Sequence, residues 1–481
     1  MNTLFITDSQ LTAENVEPFF PEPEILGFTG GRGTGATGLF GNQMASIVRI
    51  GQQWRVYLTK RLWTPAASSS QEKEATVGMR TSMSPGFIDT PDLARWPDIA
   101  TNYKPLLIKN LPDGCHAAQP FVLQRETGAF ELFFWIHGNG MIRYVKCLGD
   151  DGRTFVIQNL DTPCLYHPGD KDVRRDASFD GLLSHRENLQ ISKNAGGAEA
   201  LARKISNDAT TVSYNARSGL YQLYSVSLLP ADTAPERHVE YDNLTKAYRV
   251  IHRRVSEDGL EWSAPQLVLI PDINDRVDLQ FYVLQQDASA RFLVAGYYPV
   301  REQTMELMPA ITLDGEKIIR PRLPWQIRAN LPDGGVGTWQ MLMPGGVVCA
   351  DDYVYISANA YNTLHNRSGK VPPGESVQQN VMLRQLKNRW AGFRNREGLT
   401  ARLTTSPFQY EPLRLIVGDR EKVRGSLLSV FGTGLTGGEG GRLDASGNLY
   451  FAQNTDVAWR GKWIRLAIDF ETEVFGMEEQ S

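Results

Sequence analysis

One stretch of the sequence, residues 248–262, reads YRVIHRRVSEDGLEW. Its first eight residues are rich in β-branched and aromatic side chains, which is typical of a strand. Asp258-Gly259 then favours a tight hairpin turn. Trp262 stands at the third position after the glycine, where its ring can fold back over the turn. The stretch therefore predicts a strand, a turn and an aromatic contact between neighbouring sheets.

The same pattern recurs along the chain. Residues 143–147 lead into Asp151-Gly152 and Phe155, and a weaker copy surrounds Asp314-Gly315. Pairs of apolar stretches joined by short turns recur about every 60–90 residues, a spacing that suits a four-stranded unit with long connections. Five such units closing around an axis predict a five-bladed β-propeller, in which no long sheet edge is exposed. The alternative is an irregular all-β sandwich. The first strands of the units are predicted near Met44–Ile50, Gln119–Gln124, Asp208–Tyr214, Leu279–Leu284 and Gln340–Cys349.

The carboxy-terminal residues differ in character from the repeated units. Stretches such as 413–417 and 463–468 alternate over short distances, and Gly-rich turns separate some of them. About 85 residues are enough for a small sandwich with its own core. We therefore expect a propeller over residues 1–395, which would carry any catalytic site, and a β-sandwich over residues 396–481.

Charge and cysteine content exclude several functional classes. The 481 residues include 50 basic and 54 acidic side chains, a net charge of −4, which gives no electrostatic reason to bind nucleic acid or an anionic membrane. No apolar run approaches the roughly 18 residues of a membrane span. The four cysteines show no zinc-type spacing, and the first residues lack the features of a secretory signal. We expect a cytoplasmic protein without a metal or another cofactor.

Three segments carry a resemblance to a known group of proteins. They are Ala234-Pro235-Glu236-Arg237-His238, residues 255–265 and Asp278-Leu279-Gln280-Phe281-Tyr282. Together they resemble the Pro-Glu-Arg segment, the Ser-x-Asp-Gly-x-x-Trp turn and the acidic/Gln-Phe-Tyr strand of glycoside hydrolase family 32/43-like five-bladed propellers with a C-terminal β-sandwich. The resemblance covers about residues 180–410, and the first two units are more divergent.

The resemblance implies carboxylate chemistry at the channel entrance. Such glycosidases bring acidic groups from separate blades together: one protonates the leaving oxygen, and another attacks the anomeric carbon or activates water. The corresponding acidic positions of this chain are Glu187, Asp208 and Asp278, which are the predicted catalytic residues. Each of the two aspartates could equally be a turn or surface residue. The chain departs from the family pattern with Asn42-Gln43 in the first unit and His116 in the second.

Six further residues are predicted to contact a sugar. Aromatic rings can stack on sugar C–H groups, and arginine can bind hydroxyl or carboxylate groups in a fork geometry. Each type has a structural alternative: an aromatic residue between blades, an ion-paired arginine or a histidine held in a turn. The predicted substrate-binding residues are His116, Gln280, Trp339, Gln340, Arg143 and Arg186.

Two functions follow, and the sequence leaves both open. The first is a glycoside hydrolase or related glycan-processing enzyme, with a small glycoside or oligosaccharide as its partner. The second is a non-catalytic carbohydrate-binding propeller, which the missing acid of the first unit favours. Asp176, Asp180 or Glu240 could supply the missing group. An interaction scaffold would fit a channel entrance without converging carboxylates.

Overall fold

Strands dominate the part of the chain that the structure describes. The structure is a computed structural model of the 481-residue chain. It describes residues 3–4, 12–34, 39–65, 79–167, 169–173, 209–216, 218–242, 247–321, 339–367, 377–409, 411–429, 441–450 and 463–479.

The strands of these ranges are named in chain order. Those of the first half are β1 Thr3–Leu4, β2 Thr12–Glu14, β3 Val16–Phe19, β4 Glu24–Thr34, β5 Leu39–Ile50, β6 Gln53–Pro65, β7 Met79–Thr90, β8 Lys104–Pro105, β9 Leu107–Lys109, β10 His116–Gln124, β11 Phe130–Gly138, β12 Met141–Gly149, β13 Thr154–Ile157, β14 Leu165–Tyr166, β15 Thr210–Asn215 and β16 Leu220–Pro230. Those of the second half are β17 Ala247–Ser256, β18 Gln266–Leu269, β19 Leu279–Gln286, β20 Phe292–Pro299, β21 Glu306–Ile311, β22 Met341–Ala350, β23 Tyr353–Tyr361, β24 Val377–Leu386, β25 Gly392–Asn395, β26 Ala401–Thr404, β27 Phe408–Gln409, β28 Leu413–Val417, β29 Val423–Ser429, β30 Arg442–Leu443, β31 Leu449–Tyr450, β32 Trp463–Phe470 and β33 Glu473–Glu479.

Helical segments are short. The α-helix α1 spans Ile99–Asn102, and the remaining segments are single 3₁₀ turns. None of the helices in the described ranges has the length and apolar character needed to cross a membrane. The 3₁₀ turns span Ala231–Thr233, Pro235–Arg237, His365–Arg367, Lys387–Arg389 and Arg420–Lys422.

Five sheets of described strands follow one another along the chain. Their orders are β5-β6-β7-β8, β10-β11-β12-β13-β9, β15-β16-β17-β18, β19-β20-β21 and β22-β23-β24-β4, and β14 also pairs with β12. The first strands contact one another in a ring, from β5 through β10, β15 and β19 to β22 and back to β5. The sheets therefore surround a central channel, and the prediction of an all-β propeller is confirmed.

The last sheet joins the two ends of the propeller segment. Its outermost strand, β4, comes from the amino-terminal part of the chain and pairs antiparallel with β24. Phe28 and Val381 are partners in this register. The ring is thus closed by pairing between β4 and β24, and partners such as Phe28 and Val381 lie more than 350 positions apart in the chain. Formation of the last sheet therefore requires the amino-terminal part of the chain.

The Asp-Gly turns make the predicted contacts between neighbouring sheets. Trp262 packs edge-on against Phe133 of the preceding sheet, with ring centroids 6.5 Å apart. Lys146 Nζ of that sheet donates to the backbone carbonyl of Asp258 at 2.7 Å. The turn of the third sheet is thus held by both an aromatic contact and a hydrogen bond from the second.

The other two copies follow the same design. The hydroxyl of Tyr57 donates to the carbonyl of Gly152 at 2.8 Å, and that of Tyr224 donates to the carbonyl of Gly315 at 3.0 Å. Gly315 has φ +82°, and a Cβ there would lie 1.6 Å from Gln222 Oε1. A glycine is therefore required at this position both for its left-handed backbone and for close packing between sheets.

Two larger sheets of described strands, formed mainly by carboxy-terminal residues, share a second core, and β30 pairs separately with β31. The orders are β1-β33-β25-β3, with β28 paired to β33, and β2-β26-β32-β27, with β29 paired to β32. Leu403 and Ile468 of one sheet share a buried cluster with Leu415 and Val474 of the other. Strands β1, β2 and β3 belong to these sheets, so the amino terminus contributes to the sandwich. The predicted division at residues 395/396 did not include this contribution.

Candidate functional site

In each sheet, paired strands that follow one another in the chain run in opposite directions, so alternate connections lie at opposite ends of the propeller. Connections that lead into a first strand, and those between the second and third strands of a sheet, lie at one end of the channel. We call this end the mouth. The Asp-Gly turns join third and fourth strands, so they lie at the opposite end, which we call the turn end. Of the predicted site residues that the structure describes, five precede or begin first strands, and Arg143 lies near the start of the third strand β12, so all six belong to the mouth. The five are His116, Asp278, Gln280, Trp339 and Gln340.

A buried aspartate dominates the described part of the mouth. Asp242 lies between β16 and β17, and its side chain is 1% exposed. It accepts hydrogen bonds from Tyr298 Oη at 2.7 Å, from Arg249 Nη1 at 3.0 Å and from Gln303 Nε2 at 3.3 Å. Burial alone would raise the pKa of Asp242, but the close contact with the His365 imidazole, the charge of Arg249 and the Tyr298 hydroxyl outweigh it. The pKa therefore lies well below its usual range, and the carboxylate is ionised.

His365 reaches the same carboxylate from the fifth sheet. It lies between β23 and β24, and its Nδ1 is 3.6 Å from Asp242 Oδ1 and 3.2 Å from Tyr298 Oη. Its ring meets the rings of Tyr282 and Tyr298 edge-on, with centroids 5.0 Å apart in both cases. These contacts fix the plane of the imidazole, and they direct Nδ1 toward Asp242.

Arg249 links Asp242 to the beginning of β19. Its Nη1 donates to Gln280 Oε1 at 2.7 Å, and Gln280 Nε2 donates to the carbonyl of Arg237 at 2.7 Å. The guanidinium also lies 4.8 Å from the centre of the half-buried Tyr282 ring. Gln280, a predicted sugar-binding residue, is therefore part of the support for Asp242. We define the Asp242 cluster as Asp242, Arg249, Gln280, Tyr298, Gln303 and His365.

The protonation states of the cluster are complementary. Burial and the nearby charge of Asp242 raise the pKa of Tyr298 far above its usual range, so its hydroxyl keeps its proton and donates. The ionised Asp242 is balanced by the guanidinium of Arg249, which meets the condition for burying a charge. The cluster can thus hold an imidazole in a fixed orientation beside the partly exposed face of Tyr282. Within the described ranges, no set of three or more His, Cys, Asp or Glu side chains could hold a metal ion.

Asp278 lies at the mouth and is engaged in its own turn. Its Oδ1 accepts from Arg276 Nε at 3.1 Å, and its Oδ2 accepts from the backbone N–H of Arg301 at 3.2 Å. Its backbone carbonyl also accepts from Val300 N at 3.0 Å. These bonds tie the start of β19 to the connection after β20. This geometry favours the turn-residue alternative for Asp278 over the catalytic one.

The second sheet places two predicted residues at its own part of the mouth. His116 begins β10 opposite His137, and the two rings stack with centroids 5.5 Å apart. Burial lowers the pKa of His116. Arg143 forms a bidentate pair with Asp170, at 2.9 Å from Nε and 3.1 Å from Nη2, and both side chains are buried. The arginine thus matches its ion-paired alternative.

Of the remaining predicted site residues, the structure describes Trp339 and Gln340. Trp339 is 2% exposed and packs on Phe28 at 5.3 Å between centroids, as an aromatic residue of the core does. The backbone N–H of Gln340 donates to the carbonyl of Tyr361 at 2.7 Å. Three predictions lie outside the described residues: Glu187, Asp208 and Arg186.

Sequence reasoning missed five members of the cluster. Asp242 follows Glu240, a suggested alternative acid, by two residues, and His365 lies in the equivalent connection of the fifth sheet. The repeated units were aligned by the starts of their first strands, whereas these residues lie between second and third strands. An alignment of those connections would have brought Asp242 and His365 to the same end of the channel. The missed members are Asp242, Arg249, Tyr298, Gln303 and His365.

Comparisons with known proteins give likeness only to solved structures. No protein-family model and no curated protein matches the chain. One similar structure is a glycoside hydrolase, with 12% identity, TM-score 0.44, and coverage of 76% of this chain and 92% of the other. Another is a thermostable family-43 glycoside hydrolase, with 10% identity, TM-score 0.38, and coverage of 72% and 91%. A third is an N-acetylgalactosamine deacetylase from F. plautii in complex with blood group B trisaccharide, with 10% identity, TM-score 0.40, and coverage of 78% and 97%.

Proposed function

We propose that this protein is a glycan-processing enzyme, a glycosidase of the family 32/43-like kind, whose substrate binds at the mouth of the propeller. The observation that carries the proposal is the Asp242 cluster. An ionised carboxylate with 1% exposure holds His365 beside the partly exposed ring of Tyr282. Buried ionised groups are costly, and pre-organised functional sites are where such groups concentrate.

The contacts assign separate roles to these residues. Asp242 receives three side-chain donors in addition to its contact with His365, so we assign it to positioning rather than to attack on the sugar. Asp242 orients the imidazole of His365 through Nδ1, and we assign this side chain to contact with a substrate hydroxyl or to proton transfer. The ring of Tyr282 offers a flat surface to sugar C–H groups. The proposal keeps Glu187 and Asp208 as the catalytic carboxylates.

A second candidate is a carbohydrate-binding propeller without hydrolysis. Asp242 is bound on both carboxylate oxygens, and so is Asp278. Both aspartates thus perform structural tasks, which a sugar-binding site needs as much as an enzyme does. Under this alternative, His365 and Tyr282 bind a glycan that is released unchanged.

A glycan screen with matched variants separates the two candidates. The wild-type protein is incubated with aryl glycosides and natural oligosaccharides, and both binding and product formation are measured. For an enzyme, we expect Glu187→Gln and Asp208→Asn each to lower turnover by about 100-fold or more, while Asp278→Asn leaves it within a few-fold. Binding without product would establish the second candidate. Turnover that survives in both carboxylate variants would overturn the assigned residues.

A further inference from the structure

A crevice separates the turn end of the fifth sheet from the sandwich, remote from the mouth. Its volume is about 350 Å³, within the range of small-molecule sites of roughly 300–1,000 Å³. Asp352 and Asn388 line it from the propeller, and Arg414 and Glu478 line it from the sandwich. Both folding units thus contribute polar groups to the same crevice.

Contacts across the crevice hold its walls in place. Arg389, which follows the last propeller strand, donates from Nη2 to the carbonyl of Val417 at 3.3 Å. Its guanidinium lies 5.8 Å from the centre of the Phe475 ring. Within the sandwich wall, Arg414 pairs with Glu478. The crevice is therefore pre-formed, and a ligand would not need to separate the two units in order to enter.

Two groups that line the crevice, the Asn388 amide oxygen and the Arg420 guanidinium, can bind a ligand. Asn388 Oδ1 is buried and accepts no hydrogen bond from the part of the chain that the structure describes, although a buried acceptor without a partner is unfavourable. Arg420 lines the same crevice and is exposed. Within the described ranges, its guanidinium has neither an ion pair nor a hydrogen bond. One group thus requires a donor, and the other can receive an anion.

The opening beyond Arg420 is lined by three arginines and by three acidic residues, Asp419, Glu421 and Asp444. Arg420 also borders a more open groove of about 880 Å³, which Arg424 and Arg442 line. Arg424 is bound to the carbonyls of Glu421 and Val423, whereas Arg442 is exposed and has no partner within the described ranges. A ligand seated in the crevice would therefore meet a second available guanidinium if it were longer.

We propose that the crevice is a second carbohydrate site and that it binds a sugar acid of the uronate type. A sugar hydroxyl donates to Asn388 Oδ1, and the carboxylate pairs with Arg420 in a fork geometry. A neutral sugar would leave the guanidinium unused. A simple anion would leave the amide oxygen unpaired. The three arginines of the lining outnumber its two acidic side chains, Asp352 and Glu478, which disfavours a metal cation. This site is independent of the proposed reaction, because binding here requires no turnover.

The test is equilibrium binding to the full-length protein by calorimetry. Galacturonate and glucuronate are the probes, galactose and glucose are the neutral controls, and sulfate is the simple-anion control. We expect the uronates to bind at least tenfold more tightly than the neutral sugars and sulfate. Arg420→Ala and Asn388→Leu should each weaken uronate binding about tenfold, whereas Arg396→Ala, an exposed arginine outside the crevice, should not change it.

A variant at the mouth distinguishes uronate binding in the crevice from glycan binding at the mouth. His365→Gln should leave uronate binding unchanged, even if it abolishes binding or turnover of the glycans found in the screen. Uronate binding that is lost in His365→Gln and retained in Arg420→Ala would overturn the assignment. Equal binding of uronate and sulfate would overturn the role of the sugar hydroxyl, and no uronate binding at all would reject the site. Equal thermal midpoints of the variants establish that they are folded.

Discussion

The turn end and the mouth hold their aspartates in opposite ways. At the turn end, Asp258 is exposed, and its Oδ1 accepts from the backbone N–H groups of Leu260 at 2.8 Å and Glu261 at 3.0 Å. At the mouth, Asp242 is buried and bound by side chains from three sheets. The first arrangement is local and recurs in three sheets, whereas the second depends on residues up to 123 positions apart.

The difference separates what builds the propeller from what its mouth presents. A carboxylate that satisfies its own turn needs no other part of the chain, so the same short motif can recur at every sheet. A carboxylate buried among distant side chains stabilises only one particular arrangement of those sheets. We therefore expect changes at the two ends to differ in size and in kind.

The largest expected effect is that of Asp242→Ala. Removal of one partner from a buried ion pair leaves the guanidinium of Arg249 uncompensated, which should lower the free energy of unfolding by about 3–5 kcal/mol. Urea denaturation followed by tryptophan fluorescence measures it. Asp258→Ala is the matched control at the turn end. Equal losses in the two variants would mean that the contrast between the ends is wrong.

A smaller effect is expected from alanine at a turn-end glycine. Gly315→Ala places a Cβ against Gln222 and keeps an unfavourable positive φ, so we expect a loss of about 2–3 kcal/mol. Gly219→Ala has a similar φ of +70° but nothing within 4 Å, and should cost about 1 kcal/mol. Thermal unfolding of both variants checks the difference. A loss for Gly315→Ala no larger than that for Gly219→Ala would contradict the packing argument.

The third prediction concerns the hydrogen bond that the Tyr298 hydroxyl donates to Asp242 at the mouth. Tyr298→Phe removes the hydroxyl that donates to Asp242 and keeps the ring that packs on His365. A hydrogen bond to a charged group contributes about 2 kcal/mol, so stability should fall by that amount. Chemical denaturation measures the change. A loss below 0.5 kcal/mol (well under the roughly 1.5 kcal/mol lower bound for such bonds) would show that the hydroxyl does not support the carboxylate.

The parts of this structure that the sequence predicted are its local features. The Asp-Gly turn and the aromatic residue after it lie within eight residues of one another, so Trp262 and its contact between sheets could be predicted from spacing alone. The same holds for β19, predicted at Leu279–Leu284 and found at Leu279–Gln286. Gln280 was selected because it begins a first strand, and it does lie at the mouth.

The parts that the sequence did not predict depend on distant contacts. Asp242 lies toward the end of its connection and His365 toward the start of its own, and nothing in their immediate neighbours indicates burial or a shared partner. Strand β2 spans Thr12–Glu14, a short and exposed segment without an apolar pattern. It becomes a strand because β26 offers it a partner edge. Burial and pairing of this kind follow from the closed ring and not from any local stretch.

The smallest effect concerns pH at the turn end. Burial raises the pKa of Asp258, but the N–H groups of Glu261 and Leu260 and the Ser256 hydroxyl outweigh it, so the pKa lies below its ordinary 3.8. A carboxylate whose pKa is lower in the folded state than in the unfolded state stabilises the fold at pH values above the unfolded-state pKa. This stabilisation is lost as the pH falls through the folded-state pKa. Asp258→Ala should therefore cost about 1 kcal/mol at pH 7. The difference in unfolding free energy between wild type and Asp258→Ala should become smaller below pH 3.8. A difference that grows in that range would contradict this prediction.

Our claim is that the mouth is the catalytic end of the propeller and that the Asp-Gly turns of the opposite end are structural. The most direct test compares kcat/KM of His365→Gln and Asp258→Ala on the best glycoside from the screen, with the unfolding free energy of each variant measured in parallel. We predict a loss of about 100-fold for His365→Gln and a change within twofold for Asp258→Ala. Equal catalytic losses in the two variants, or full activity in His365→Gln, would contradict the claim.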